Sequence, residues 1–143
     1  MDPDEVDAGQ GRQHGRRGRG VLALADGEAV GWCHLGPRAG FPRLLRSRAI
    51  RTDAPDDAWA VVCFFVARGR RGQGVARALL DGAVGRARAA GAATLEGYPV
   101  RDTGARYAST FAFVGVPALF RAAGFRRVTP DDDHRPTYRR RLR

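Results

Sequence analysis

The sequence predicts an α/β domain of the α+β kind, with a mixed, mostly antiparallel sheet around one parallel strand–helix–strand unit. Three stretches carry that expectation. Residues 59–66, WAVVCFFV, are apolar throughout with no period-two alternation. That pattern marks a strand covered on both faces, and so one in the middle of a sheet. An Arg/Gly loop follows. From Val75 onward the positions Val75, Ala76, Leu79, Leu80, Ala83, Val84 and Ala87 fall on one helical stripe. Earlier in the chain, Asp26-Gly27 separates two apolar runs, a strong short-range hairpin signal.

Taken in order, residues 1–20 combine an acidic start with a Gly/Arg run and show no periodicity. Such a stretch cannot bury enough apolar surface to order itself. The expected organisation is therefore a disordered Arg/Gly-rich tail over residues 1–20 and one folded domain over 21–143. Residues 21–25 and 28–35 form the hairpin, closed by Gly36-Pro37. The long connection 36–57 holds a short helix over residues 42–50, and connections of this length are often functional. His34 reads as a strand residue with a minor claim to catalysis. After the central helix, Gly91 is placed as its stop. Residues 92–100, AATLEGYPV, form a strand parallel to 59–66, because a right-handed crossover joins them. Pro117 suits the first turn of a short helix that stops at Gly124. The segments 125–129 and 136–142 form a last hairpin.

Composition excludes several classes. The 143 residues make one domain, and 43% hydrophobic content is ordinary for a globular chain. No apolar run reaches the roughly 18 residues of a membrane span, and the acidic N-terminus is not a secretory signal. Cys33 and Cys63 read as reduced thiols of a cytoplasmic protein, with neither a disulfide nor a metal site. The net charge is +10, and all 25 basic residues are arginine. The absence of lysine looks like a composition bias, and the arginines are scattered. Nucleic acid is therefore not expected as the main partner, although an RNA-binding tail is an alternative reading of residues 10–20.

The loop itself points to phosphate. A strand ending in a Gly-rich turn leaves the first N–H groups of the next helix unpaired, and the helix dipole favours an anion there. A Walker A loop needs a lysine, and this chain has none. A dinucleotide fingerprint starting at Gly72 and Gly74 would need glycine where Arg77 stands. What remains is Arg71-Gly72-Gln73-Gly74-Val75-Ala76, which fits R/Q-x-x-G-x-G/A.

On that motif, on the Phe64-Phe65-Val66 strand end and on Leu119-Phe120-x-x-x-Gly124-Phe125, the sequence resembles the GNAT superfamily of N-acetyltransferases. The resemblance covers about residues 21–143. It implies a GNAT-like sheet whose βαβ unit carries acetyl-CoA as cosubstrate, with no metal. Backbone groups of Phe64, Phe65 and Val66 would pair with the pantetheine arm. Arg71, Gly72, Gln73, Gly74, Val75 and Ala76 would hold the pyrophosphate. A primary amine, from a small molecule or a peptide, would attack the thioester directly, and a strand N–H near Phe65 would stabilise the oxyanion. A GNAT-like domain that binds CoA without catalysis and an Arg-rich RNA-binding protein are the alternatives.

Two departures from the family pattern stand out. The family often places a proton-donating tyrosine on the late helix, where this chain has Phe120. Glu96 as base and Tyr98 as acid are the replacements, since both lie on one strand face; the competing reading pairs Glu96 with an arginine and packs Tyr98. The family also begins with a strand and two helices, which residues 1–20 do not resemble. The expectation is an N-terminally incomplete domain, from a shortened gene model or as a natural reduced binder, with an exposed hairpin edge open to homodimer formation.

Overall fold

The computed structural model describes residues 19–48, 50, 53–55, 57–70, 74–100, 117–130 and 135–143. Residues 1–18 of the expected 1–20 tail and residues 101–116 lie outside them. Asp26 and Gly27 take positive φ values of 53° and 79°. Positive φ at both central positions is the type I′ signature, whose twist suits antiparallel strands. The turn joins β1 (Arg19–Ala25) to β2 (Glu28–Pro37). Along β2 the pattern alternates, with Cys33 and Leu35 buried on one face and Trp32 and His34 on the other.

A single turn of helix, α1 (Pro42–Leu45), follows. It is shorter than the helix expected over residues 42–50. The chain leaves the helix where the Ser47 hydroxyl accepts the Ile50 N–H at 3.2 Å, a local bond that competes with continued helix. β3 (Trp59–Val66) then enters the sheet, and α2 (Val75–Ala89) crosses over it. Val75, Leu79, Leu80, Ala83, Val84 and Ala87 of α2 are buried, as the stripe predicts, and Ala76 is half-buried. Leu79 and Leu80 are fully enclosed; truncating either to alanine costs about 2–5 kcal/mol.

β4 (Thr94–Gly97) lies parallel to β3, followed by α3 (Pro117–Ala122), β5 (Arg126–Arg127) and β6 (Tyr138–Arg141). β4 is shorter than the nine residues expected. Tyr98 leaves the ladder and its carbonyl accepts from Arg135 Nε at 3.3 Å. Pro99 next to it has no N–H to donate. The described sheet has six strands in the order β1-β2-β3-β4-β6-β5, antiparallel except for the β3–β4 pair.

The two sheet faces differ. One carries the main core, in which α2 and Phe120 of α3 cover Val21, Cys33, Leu35, Val61, Phe64 and Leu95. The other carries a smaller cluster of Leu44, Ala60 and Tyr98 with Phe41, Ile50 and Val62, so the β2–β3 connection covers part of it.

Candidate functional site

The site is built where β3 and β4 part. Their ladder holds Trp59 to Leu95, Ala60 to Glu96 and Val61 to Gly97, and ends there. β3 runs on to Val66, still paired with β2 through Phe64, Phe65 and Val66. Parallel strands that pair at one end only leave room between them for a ligand that supplies its own amide groups. Phe64 and Val66 turn their side chains into the main core, whereas Phe65 is half-buried.

A bulge sits at this point. His34 pairs with Cys63 but Leu35 pairs with Val61, so Val62 is an extra residue on β3. Such a residue re-aims the local backbone, and bulges recur beside active sites.

At the far end of β3 the chain turns into α2. Gly74 is the N-cap, in left-handed geometry with φ 80° and ψ 9°. Gly74 has no side chain to cap this end, and no acidic residue stands in the first turn. Among the described residues, a β-carbon added at Gly74 would meet nothing within 4 Å. The start of α2, with its dipole and its first N–H groups, fits an anion such as pyrophosphate. Val75 is buried and anchors the turn, and Ala76 is half-buried. Arg71, Gly72 and Gln73, the rest of the expected cradle, lie outside the described residues. Arg77 is on the surface and donates to Asp81 at 3.1 Å, one helical turn on.

Glu96 and Tyr98 come together as a buried polar knot beside the end of the ladder. Glu96 is fully enclosed. Its Oε1 accepts the Tyr98 hydroxyl at 3.1 Å, and its Oε2 accepts Arg139 Nε at 2.9 Å and a second Arg139 nitrogen at 2.8 Å. Arg38 Nε stands 3.9 Å from Oε1. Arg139 also donates to Asp53 at 2.7 Å, which ties the β2–β3 connection to β6. Burial and the neighbouring Glu96 raise the Tyr98 pKa well above its ordinary range, so the hydroxyl keeps its proton. Arg139 holds the Asp53 carboxyl below its usual value through their hydrogen bond.

Arg38, Asp53 and Arg139 escaped sequence reading. Arg139 lies 43 residues from Glu96 and 86 from Asp53, and nothing marks it out among 25 arginines. The residue aligned with the family's donor tyrosine, Phe120, is fully buried against Phe64, Phe125 and Tyr138.

The two thiols differ. Cys33 is buried and donates to the Leu79 carbonyl at 3.7 Å, and burial pushes its pKa up to about 12. Cys63 is half-buried, also with a raised pKa from burial. Among the described residues no three His, Cys, Asp or Glu side chains gather as a metal site, and no helix is long and apolar enough to cross a membrane.

Comparison with known proteins agrees with this geometry. The family model described as the Acetyltransferase (GNAT) family matches residues 2–106. No curated protein matches the chain significantly. Among solved structures, a proposed GNAT acetyltransferase from Desulfovibrio desulfuricans is similar at 23% identity and a TM-score of 0.58, covering 89% of this chain and 71% of its own. A GCN5-related N-acetyltransferase from Kribbella flavida gives 20% identity and 0.58, over 90% and 70% of the two chains. A ribosomal-protein-alanine N-acetyltransferase from Brucella melitensis gives 20% and 0.55, over 87% and 68%. The strand–turn–helix unit, the sheet order and the family match agree: this chain belongs to the GNAT family of acetyltransferases.

Proposed function

We propose that this protein moves an acetyl group from acetyl-CoA to a primary amine by direct attack on the thioester. The carrying observation is that β3 continues past the end of its ladder with β4 and that the next helix, α2, starts at a left-handed glycine N-cap, Gly74. In this reading the backbone of Phe64, Phe65 and Val66 pairs with the pantetheine amides. Residues 71–76 hold the pyrophosphate, with Gly74 allowing close approach and Val75 fixing the turn. The bulge at Val62 aims a strand N–H at the developing oxyanion, where a fixed donor is worth most.

Glu96 and Tyr98 stay in the proposal as residues that shape the reaction centre. Glu96 as base must compete with the donors it already accepts, Tyr98 and Arg139. Tyr98 as acid must first release Glu96. Those same contacts favour a second reading, a GNAT domain that binds CoA without turnover. Both readings place the protein in the cytoplasm with a small-molecule or peptide amine as partner, and both rest on acetyl-CoA without a metal.

The deciding experiment is an amine screen with acetyl-CoA, read by release of the free thiol. Acetylation of at least one amine above the hydrolytic background supports transfer. Binding of acetyl-CoA with no acceptor turned over supports the second reading.

A further inference from the structure

The donor geometry leaves one side for the acceptor. The face of β3 that holds Phe64 and Val66 is closed by α2 and α3, with Val75, Leu79 and Phe120 buried against it. The approach left, among the described residues, to an amine reaching a thioester between β3 and β4 is over the opposite face. Among the described residues, that face carries an aromatic group next to the bulge. Trp32 pairs in register with Phe65, and His34 with Cys63. The Trp32 and His34 rings stack with centroids 5.8 Å apart and planes 25° apart. Phe41 stands edge-on to His34 at 5.1 Å. Trp32 is 36% exposed and is one of the exposed large apolar side chains among the described residues. The rings of Trp32 and His34 lie on the face away from the main core, and Phe41 borders them from the smaller cluster on that face.

We propose that the Trp32–His34–Phe41 face is the acceptor subsite, taking a primary ammonium carried on an aromatic or apolar skeleton, with His34 removing its proton. The inference rests on the acetyl-transfer reading above. An ammonium is drawn to an aromatic face by the ring quadrupole, while an apolar skeleton lies on Trp32 and Phe65. Attack needs the neutral amine, so a base must stand beside the ammonium. His34 is half-buried, and burial lowers its pKa, which keeps the imidazole neutral and able to accept near pH 7. Glu96, the carboxylate on the neighbouring strand, already accepts from Tyr98 and Arg139.

The step balances. One ammonium proton passes to a ring nitrogen of His34 and then to solvent. The freed lone pair forms the C–N bond at the thioester carbonyl, and the C–S bond breaks as the tetrahedral intermediate collapses. The sulfur leaves as thiolate and takes up the second proton lost by the nitrogen. The products are the amide and free CoA.

The test uses the full chain with phenethylamine as probe and ethanolamine as a small polar comparison. Saturable quenching of tryptophan emission by phenethylamine is expected, because Trp32 is half-open while Trp59 is 7% exposed. His34→Gln should lower kcat about 100-fold while leaving the affinity for acetyl-CoA, measured by calorimetry, as in the parent. Trp32→Ala should weaken the apparent affinity for phenethylamine, read as a rise in KM, by about tenfold, on the scale of a lost aromatic contact, with kcat little changed. Parental turnover in His34→Gln, or tryptophan emission indifferent to the amine, would overturn the proposal. Failure of acetyl-CoA to bind would remove the donor reading instead, and the quenching result would still decide whether the aromatic face takes an amine.

Discussion

Gly97 and Phe120 are in such close contact that a β-carbon on Gly97 would stand 2.1 Å from Phe120 Cε1. The contact lets α3 lie against the end of the β3–β4 ladder, where Val61 pairs with Gly97. Gly97→Ala should therefore destabilise the protein by about 1–3 kcal/mol through overpacking. Phe120→Tyr adds a hydroxyl to a fully enclosed ring and should cost a similar amount, about 1–3 kcal/mol, without raising turnover. Urea unfolding of both variants checks this. A Phe120→Tyr protein as stable as the parent and faster in thiol release would restore the donor role to that position.

The second prediction separates two roles for Glu96. Glu96→Gln keeps the shape but removes the charge facing Arg139, and breaking a buried pair typically costs roughly 3–5 kcal/mol. The neutral amide oxygen that replaces the carboxylate and the remaining Asp53–Arg139 contact should hold the loss near the lower end. Affinity for acetyl-CoA should stay within about threefold, because Glu96 lies off the cradle. An unchanged unfolding midpoint together with a collapse of kcat would instead make Glu96 the base.

Much of the framework was legible because its signals are local. The β3 run, the α2 stripe and the Asp26-Gly27 turn each lie within one element, and their bounds came out within a residue or two. The turn into α2 was legible in part for the same reason, since Gly74 takes the left-handed N-cap geometry that glycine favours. The short β4 and α1 were not, because Tyr98 and Ser47 end them through contacts no periodicity records. Nor was the Arg139 knot, which only strand order brings to Glu96. The pairing of His34 with Phe41 depended on where the β2–β3 connection folds back, which an irregular stretch does not announce.

The third prediction concerns pH and His34. Burial sets its folded-state pKa below the ordinary 6.5, so the unfolded chain takes up the proton first as pH falls. The stability linked to this group is complete above about pH 6.5 and is lost as pH drops toward the folded value. Thermal unfolding followed across that window should show stability falling on acidification. His34→Gln should flatten the slope, and an equal slope in parent and variant would contradict the assignment.

The most direct test of the account is the affinity of the β3–α2 turn for acetyl-CoA. At a hundredfold excess over its dissociation constant, the ligand should add about 2.7 kcal/mol, a rise in Tm of roughly 5–10 °C for a domain of this size. Gly74→Ala and Gly74→Glu share the strain of a side chain at φ 80°, but only glutamate sets a negative charge in the space meant for pyrophosphate. Calorimetry should find acetyl-CoA binding retained in Gly74→Ala, little changed in Arg77→Ala and abolished in Gly74→Glu. No Tm shift in the parent at millimolar acetyl-CoA, or parental affinity in Gly74→Glu, would contradict the account.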